Sequence, residues 1–246
     1  MHPDRLDPPA GTEHLLAQTW LLRAGTPEAP RALLAPDPRP SALLRLEAGA
    51  LVRDPLRRTS LPERCLLGPR RTPLLVEGEG RLALVRLRAG ALAALGRTGA
   101  LLDQVLPLDD AVDAEVTEVL RALASRARPV PGRAEDVERA LEVLESRRGI
   151  VTATGLGRAL GLPPSILEGA VQSLLGASLP ELGAATVFRH ALGGERGPVP
   201  LGAALRAIDR LRRAPRPPRE RRRVTGMSPA ELEELREALA AAPVRR

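Results

Sequence analysis

The chain has 246 residues, a length that predicts two compact domains. Its formal net charge of +7 and isoelectric point of about 11.2 favour an anionic partner. One cysteine, Cys65, excludes a disulfide framework and indicates a reducing compartment. No apolar run approaches the ~20 residues of a membrane-spanning helix, and no apolar signal core opens the chain. We therefore expect a soluble, cytoplasmic protein without a membrane partner.

The first half of the chain reads as a small mixed α/β domain. Residues 1–12 are polar and proline-rich, which predicts a flexible tail. Residues 13–127 hold short apolar runs separated by Pro and Gly, a pattern typical of a small sheet or barrel. Residues 81–88 alternate partly at period two, as a half-buried strand does. Residues 77–80 (EGEG) predict a hairpin turn rather than a catalytic carboxylate pair.

Two helices follow within this half. Residues 91–95 predict a short helix that ends at Gly96. Asp109 or Asp110 is predicted to cap a second helix that runs to about Arg126.

A break separates this half from a helical region. Residues 128–133 (RPVPGR) interrupt two helical patterns and predict a linker that few buried contacts cross. Residues 135–148 predict a strong helix stopped by Gly149. The chain is therefore predicted to be α+β, a small mixed α/β N-terminal domain followed by an all-α domain at 134–246.

Residues 151–182 predict two short helices joined by a tight turn. Gly161 suits the left-handed residue that ends a helix, and Pro163 and Pro164 suit the start of the next one. A helix, a glycine-containing turn and a helix form the helix-turn-helix unit, whose second helix enters the major groove in DNA-binding proteins. An ordinary pair of packed helices has the same spacing and is the alternative.

An arginine-rich tract lies near the C-terminus. After a predicted helix at 200–213, residues 206–223 hold nine Arg against two carboxylates. Such a tract neutralises phosphates independently of sequence, and a solvated basic loop is the alternative. Prolines at 215–218 exclude a continuous helix, although a short one from about Pro218 to Val224 fits.

The final predicted helix opens with a capping box, in which Ser228 is the N-cap, Pro229 the first helical residue and Glu231 the third.

Two of these segments resemble a known family. Residues 156–182, LGRALGLPPSILEGAVQSLLGASLPEL, resemble the first helix-turn-helix of the AraC-type transcription regulators. Residues 225–232, TGMSPAEL, are similar to that family's closing T-G-x-S-P segment. The resemblance covers roughly residues 133–239. The first half, around Trp20 and residues 68–76, resembles an N-terminal domain of some of these regulators, which implies a sensory or oligomerising role.

The resemblance implies a transcription regulator that binds double-stranded DNA. It also implies RNA polymerase and an unidentified small-molecule effector as partners. The outward residues of the predicted reading helix are expected to face base edges: Ser165, Glu168 and Gln172. Arginines of the basic tract are expected to anchor phosphates: Arg219, Arg221, Arg222 and Arg223.

The chain also departs from the family pattern. The predicted reading helix carries no cation, and the proline-rich tract replaces the family's second turn. The alternative function is a degenerate relative without sequence-specific DNA binding, which acts in sensing or protein interaction.

Other chemistry has no motif in the sequence. The three histidines are widely spaced, with no Cys or carboxylate at ligand spacing, and no P-loop, G-x-S-x-G or H-E-x-x-H occurs. We expect no metal, no cofactor and no enzymatic activity.

Overall fold

The computed structural model describes residues 4–24, 31–108, 115–129, 132–194, 197–215 and 217–241. Eleven strands occur in these ranges: β1 (Asp4–Leu6), β2 (Leu16–Ala24), β3 (Arg31–Leu34), β4 (Ser41–Arg45), β5 (Leu51–Asp54), β6 (Thr59–Ser60), β7 (Arg64–Leu67), β8 (Leu74–Glu77), β9 (Gly80–Leu87), β10 (Val105–Pro107) and β11 (Val199–Pro200). The same ranges contain nine helices: α1 (Ala91–Ala94), α2 (Val116–Arg126), α3 (Ala134–Ser146), α4 (Ala153–Leu160), α5 (Pro164–Leu175), α6 (Leu179–Leu192), α7 (Leu201–Arg213), α8 (Pro218–Thr225) and α9 (Pro229–Ala241). The predicted α+β class is confirmed.

The first half is built on two antiparallel sheets packed face to face. The large sheet has the order β1-β2-β9-β4-β7-β10, and the small sheet has the order β11-β3-β8-β5-β6. Leucines such as Leu43 and Leu82 of the large sheet meet Leu34 and Val76 of the small sheet in one buried layer. The opposite face of the large sheet is covered by α1 and α2.

Strand β9 differs from the predicted half-buried strand. Every residue from Leu82 to Leu87 is buried, because β9 lies between β2 and β4 with both faces covered. Leu82 and Leu84 point to the small sheet, whereas Ala83 and Val85 pack on the helix side. The turn before it contains Gly78 at φ +79°, but it joins strands of different sheets and so forms a corner rather than a hairpin.

The ends of two predicted segments also differ. Residues 4–6, assigned from sequence to a loose tail, form β1 and pair with β2. Helix α2 begins at Val116 with Glu115 as its N-cap. The predicted caps, Asp109 and Asp110, lie outside the described residues.

The helical half packs closely against the small sheet. Strand β11 extends that sheet by pairing with β3, so that Val199 lies opposite Leu33. Phe188 of α6, Ile208 of α7 and Leu235 of α9 share one apolar cluster with Leu33 and Leu75 of the sheet. The prediction of few buried contacts between the halves is therefore wrong. The boundary at 128–133 stays a proposal, and the described part of that segment is exposed and non-helical.

Charged side chains, four of them buried and two half-buried, also lie between the two halves. We call them the junction cluster: Asp37, Arg39, Arg86, Glu138, Glu145 and Arg189. Asp37 and Arg39 lie between β3 and β4, and Arg86 lies on β9. The glutamates belong to α3 and Arg189 to α6. The cluster therefore joins the sheet half of the chain to helices α3 and α6 of the helical half.

Each carboxylate of the junction cluster has more than one donor. Asp37 Oδ1 accepts from Arg86 Nη2 at 2.8 Å and from the backbone N of Arg39 at 3.0 Å. Glu145 Oε1 accepts from Arg39 Nε at 3.1 Å and also contacts Arg86. Glu138 pairs with Arg39 and accepts from the backbone N of Ala89 at 2.9 Å. Buried charges are tolerated only with such multiple bonding, since desolvation otherwise dominates.

Removing one partner should expose this dependence. Glu138→Ala leaves the Ala89 N–H without its carboxylate and deprives Arg39 of a partner, so we expect a loss of about 3–5 kcal/mol in the free energy of unfolding. Chemical denaturation measures it. Glu142→Ala, at an exposed position of the same helix, is the control and should cost less than about 0.5 kcal/mol. Equal losses in both variants would contradict the assignment.

The cluster also predicts a pH dependence. Burial by itself would raise the pKa of Asp37, but Arg86 and Arg189 outweigh it and lower this pKa from 3.8 to about 2. Because the folded pKa is depressed, the stability that Asp37 contributes is present above pH ~4 and is lost as the pH falls toward ~2. The difference in unfolding free energy between wild type and Asp37→Asn should therefore shrink over that range. A difference independent of pH from 2 to 5 would count against it.

Candidate nucleic-acid interface

The first helix-turn-helix is formed by α4 and α5. Thr152 caps α4, its Oγ1 accepting from the backbone N of Gly155 at 3.1 Å. Gly161 ends α4 at φ +69°, which confirms the left-handed residue predicted there. The N–H of Leu162 then donates to the carbonyl of Gly157 at 2.8 Å and closes the turn. Helix α5 begins at Pro164 immediately afterwards.

A second glycine of this turn was missed from the sequence. A Cβ added to Gly157 would lie 2.6 Å from the carbonyl oxygen of Leu162. The backbone of α4 thus approaches the turn too closely for any side chain. A glycine inside a helical pattern usually marks such an approach, and this was the available signal.

The inner face of the unit joins an apolar cluster with α3. Leu167 and Val171 of α5 are fully buried beside Leu141, whereas Leu160 and Leu162 of the turn are half-buried at its edge. Helix α5 is held in place by its contacts with α3 and α4.

The outer face of α5 agrees in part with the sequence prediction. Ser165 and Gln172 are exposed. Glu168 is half-buried, and its Oε1 accepts from the backbone N of Leu179 at 3.3 Å. The prediction that Glu168 is a freely outward residue is therefore wrong, because its carboxylate serves the first N–H of α6.

The far end of α5 lies against the first half of the chain. Gly176 ends the helix at φ +61°, and a Cβ there would lie 2.1 Å from the carbonyl oxygen of Gly99. The C-terminal end of α5 is thus fixed to the loop after α1, while Ser165 and Gln172 face outward.

The second helix pair, α7 and α8, is formed despite the prolines. Helix α7 ends at Arg213, and α8 runs over Pro218–Thr225 and ends at Gly226, φ +70°. The short helix anticipated there is present. The prolines lie in the connection between α7 and α8 and do not prevent α8 from forming. The exposed arginines of α8 include three of the predicted phosphate contacts: Arg219, Arg222 and Arg223. The side chain of Arg221 lies outside the described residues.

The arginines of α7 belong to the basic tract predicted at 206–223, and the structure places three of them in a row on one face of the helix. Arg206, Arg210 and Arg213 are exposed at i, i+4 and i+7, opposite the buried Ala204 and Ile208. Within the described residues, none of the three is ion-paired. The nearby Asp209 is occupied, since it accepts from Arg212 at 3.1 Å and Arg236 at 3.3 Å. The row therefore carries positive charge that no described residue neutralises by an ion pair.

Neither a metal-binding cluster nor a membrane-spanning helix occurs among the described residues. No group of three or more His, Cys, Asp or Glu is arranged to hold a metal ion there. Within the same ranges, none of the helices combines the length and apolarity needed to cross a bilayer.

No family profile and no curated protein sequence matches the chain. Among solved structures, ToxT from Vibrio cholerae (P21 form) is similar at 9% identity and a TM-score of 0.41, over 90% of this chain and 94% of that one. ToxT from Vibrio cholerae O395 is similar at 9% and 0.41, over 92% and 94%. Unsaturated fatty acid-bound ToxT from strain SCE256 is similar at 8% and 0.37, over 92% and 91%. At these scores the likeness assigns neither family nor function.

The turn provides a stability test. Gly161→Val should lower the free energy of unfolding by more than the ~1–2 kcal/mol of a left-handed residue, because β-branching adds strain. Gly169→Ala is the control, since Gly169 is helical with open space around its Cβ position. It should stabilise by about 0.5–1 kcal/mol. Thermal or chemical denaturation measures both, and a neutral Gly161→Val would refute the strain argument.

Proposed function

We propose that the protein is a DNA-binding transcription regulator of the AraC type. The observation that carries the proposal is the tight α4–Gly161–α5 turn, which leaves Ser165 and Gln172 outward on the second helix. In helix-turn-helix proteins this helix lies in the major groove. The T-G-x-S-P-like segment at 225–229 and the helix that it starts add the support of family resemblance.

In this proposal α5 supplies the contacts to bases. The amide of Gln172 can pair with the N6 and N7 edge of adenine, and Ser165 can bond either kind of base. Glu168 is not assigned to base contacts, because its carboxylate accepts a hydrogen bond from the start of α6. The absence of any cation on α5 means that phosphate binding must come from elsewhere.

Phosphate binding is assigned to the second helix pair. In a helix-turn-helix the first helix crosses the DNA backbone, which is the position of α7 in the second pair. Its three exposed arginines, Arg206, Arg210 and Arg213, supplement those of α8. An effector and RNA polymerase as partners are proposals that rest on the family resemblance alone.

One observation favours a second function, a relative that senses or binds proteins without reading DNA sequence. The reading face of α5 offers few groups, since Gly169 and Ser173 complete it and Glu168 is engaged. This alternative predicts no affinity for duplex DNA beyond that of a basic surface.

DNA titrations at two salt concentrations separate the two functions. Replacing Arg219, Arg222 and Arg223 with Ala should weaken binding to all sequences alike. It should also flatten the slope of log K against log salt by at most roughly 3, about 0.9 for each lost phosphate contact. Gln172→Ala should leave the slope nearly unchanged and reduce discrimination at one base pair by ~1–3 kcal/mol.

The control for charge is Arg88→Ala combined with Arg121→Ala, both exposed and in the first half of the chain. These changes should leave the slope unaltered. If wild type selects no sequence from random duplexes and the control weakens binding as much as the α8 triple variant, the regulator proposal fails and the alternative stands.

A further inference from the structure

The outer face of α5 ends against a loop of the sheet half. Four residues spaced at i, i+4, i+7 and i+11 lie on one line along this helix: Ser165, Gly169, Gln172 and Gly176. The first three are exposed, whereas Gly176 is buried. A Cβ on Gly176 would collide with the carbonyl oxygen of Gly99. The loop at residues 96–100 therefore lies across the C-terminal end of the outward line of α5.

The position of this loop relative to α5 is fixed from both sides. The backbone N–H of Arg97 donates to the carbonyl of Leu92 in α1 at 2.8 Å. Directly after the loop, Leu102 packs against the apolar cluster that contains Leu174 of α5. Helix α1 itself also contacts α5. The loop is thus held beside the reading helix by a backbone bond and by buried apolar contacts.

Arg97 is the only charged residue of the loop. Every residue from 96 to 100 is exposed, so its side chain is accessible to a partner. No described residue forms an ion pair with it. Arg97 precedes Gly99 by two residues, which is at most about 7 Å along the chain. The loop therefore brings a positive charge to the end of a helix that carries no cation of its own.

The C-terminal end of a reading helix is where DNA phosphates are expected. Such a helix enters the major groove with its N-terminal residues on the base edges. The groove is about 8.5 Å deep. The 12 residues of α5 span about 18 Å. The end of α5 beside the loop therefore emerges at the rim of the groove, next to the backbone.

We propose that the sheet half contributes to the DNA surface, with Arg97 as a phosphate contact beside the C-terminal end of α5. The inference rests on the proposed function, because it requires α5 to occupy a major groove. A phosphate contact carries no sequence information, so Arg97 adds affinity for any duplex and positions α5 without selecting bases. The first helix pair thereby has a backbone anchor of its own, separate from the arginines of α7 and α8.

Salt titrations on a selected duplex test the proposal. Arg97→Ala should flatten the slope of log K against log salt by about 0.9, the value of one phosphate contact, and leave the preferred sequence unchanged. Arg97→Lys should keep the wild-type slope, because a point charge is sufficient to bind a phosphate. The control is Arg5→Ala, which should change nothing, since Arg5 is exposed on β1, at the edge of the large sheet opposite β10. An unchanged slope in Arg97→Ala would overturn the proposal.

Directed cleavage gives a second readout that does not depend on affinity. Cys65 is the chain's only cysteine and is buried, so Arg97→Cys can be labelled selectively with an iron chelate that cuts nearby DNA. We expect cuts in the backbone beside the selected site from this variant and none from labelled Arg5→Cys. No cuts from position 97, or equal cutting by both variants, would overturn the proposal and leave the regulator function standing. If wild type selects no sequence, the proposed function fails and this inference fails with it.

Discussion

Opposite charges between the sheets and helices α3 and α6, most of them buried, determine how the chain is arranged. Glu138 and Glu145 lie two helical turns apart on one face of α3, and both reach Arg39 of the first half. Arg189 adds α6 to the same set. Leaving a buried member of this set unpaired costs several kcal/mol, whereas an apolar contact tolerates small shifts. The cluster therefore selects one position of α3 and α6 against the sheets.

The position of α3 and α6 also determines where the two helix pairs lie. Helix α5 packs on α3, and α8 packs on α6. Strand β11 pairs with β3 between α6 and α7, so backbone hydrogen bonds support the same arrangement. The outward face of α5 and the arginines of α7 and α8 are thus held by elements that contact the sheets.

Local signals in the sequence identified much of the helical half. Gly161 and the Ser228–Glu231 capping box are consequences of a few adjacent residues, so the pattern was sufficient. The junction cluster was not accessible in this way, because Asp37 is 49 residues from Arg86 and 152 from Arg189. Strand β9 does not show the predicted alternation of buried and exposed residues, because other elements pack on both of its faces. Glu168 was misjudged because its partner, Leu179, lies beyond the helix in which it was counted.

The junction cluster and the apolar contacts beside it make the two halves one cooperative unit. Differential scanning calorimetry tests it directly on the full chain. We expect a single transition whose calorimetric enthalpy equals its van't Hoff enthalpy, because neither half keeps its apolar face or its ion partners when the other unfolds. Two separate transitions, or a calorimetric enthalpy well above the van't Hoff value, would show that the halves unfold independently and would contradict it.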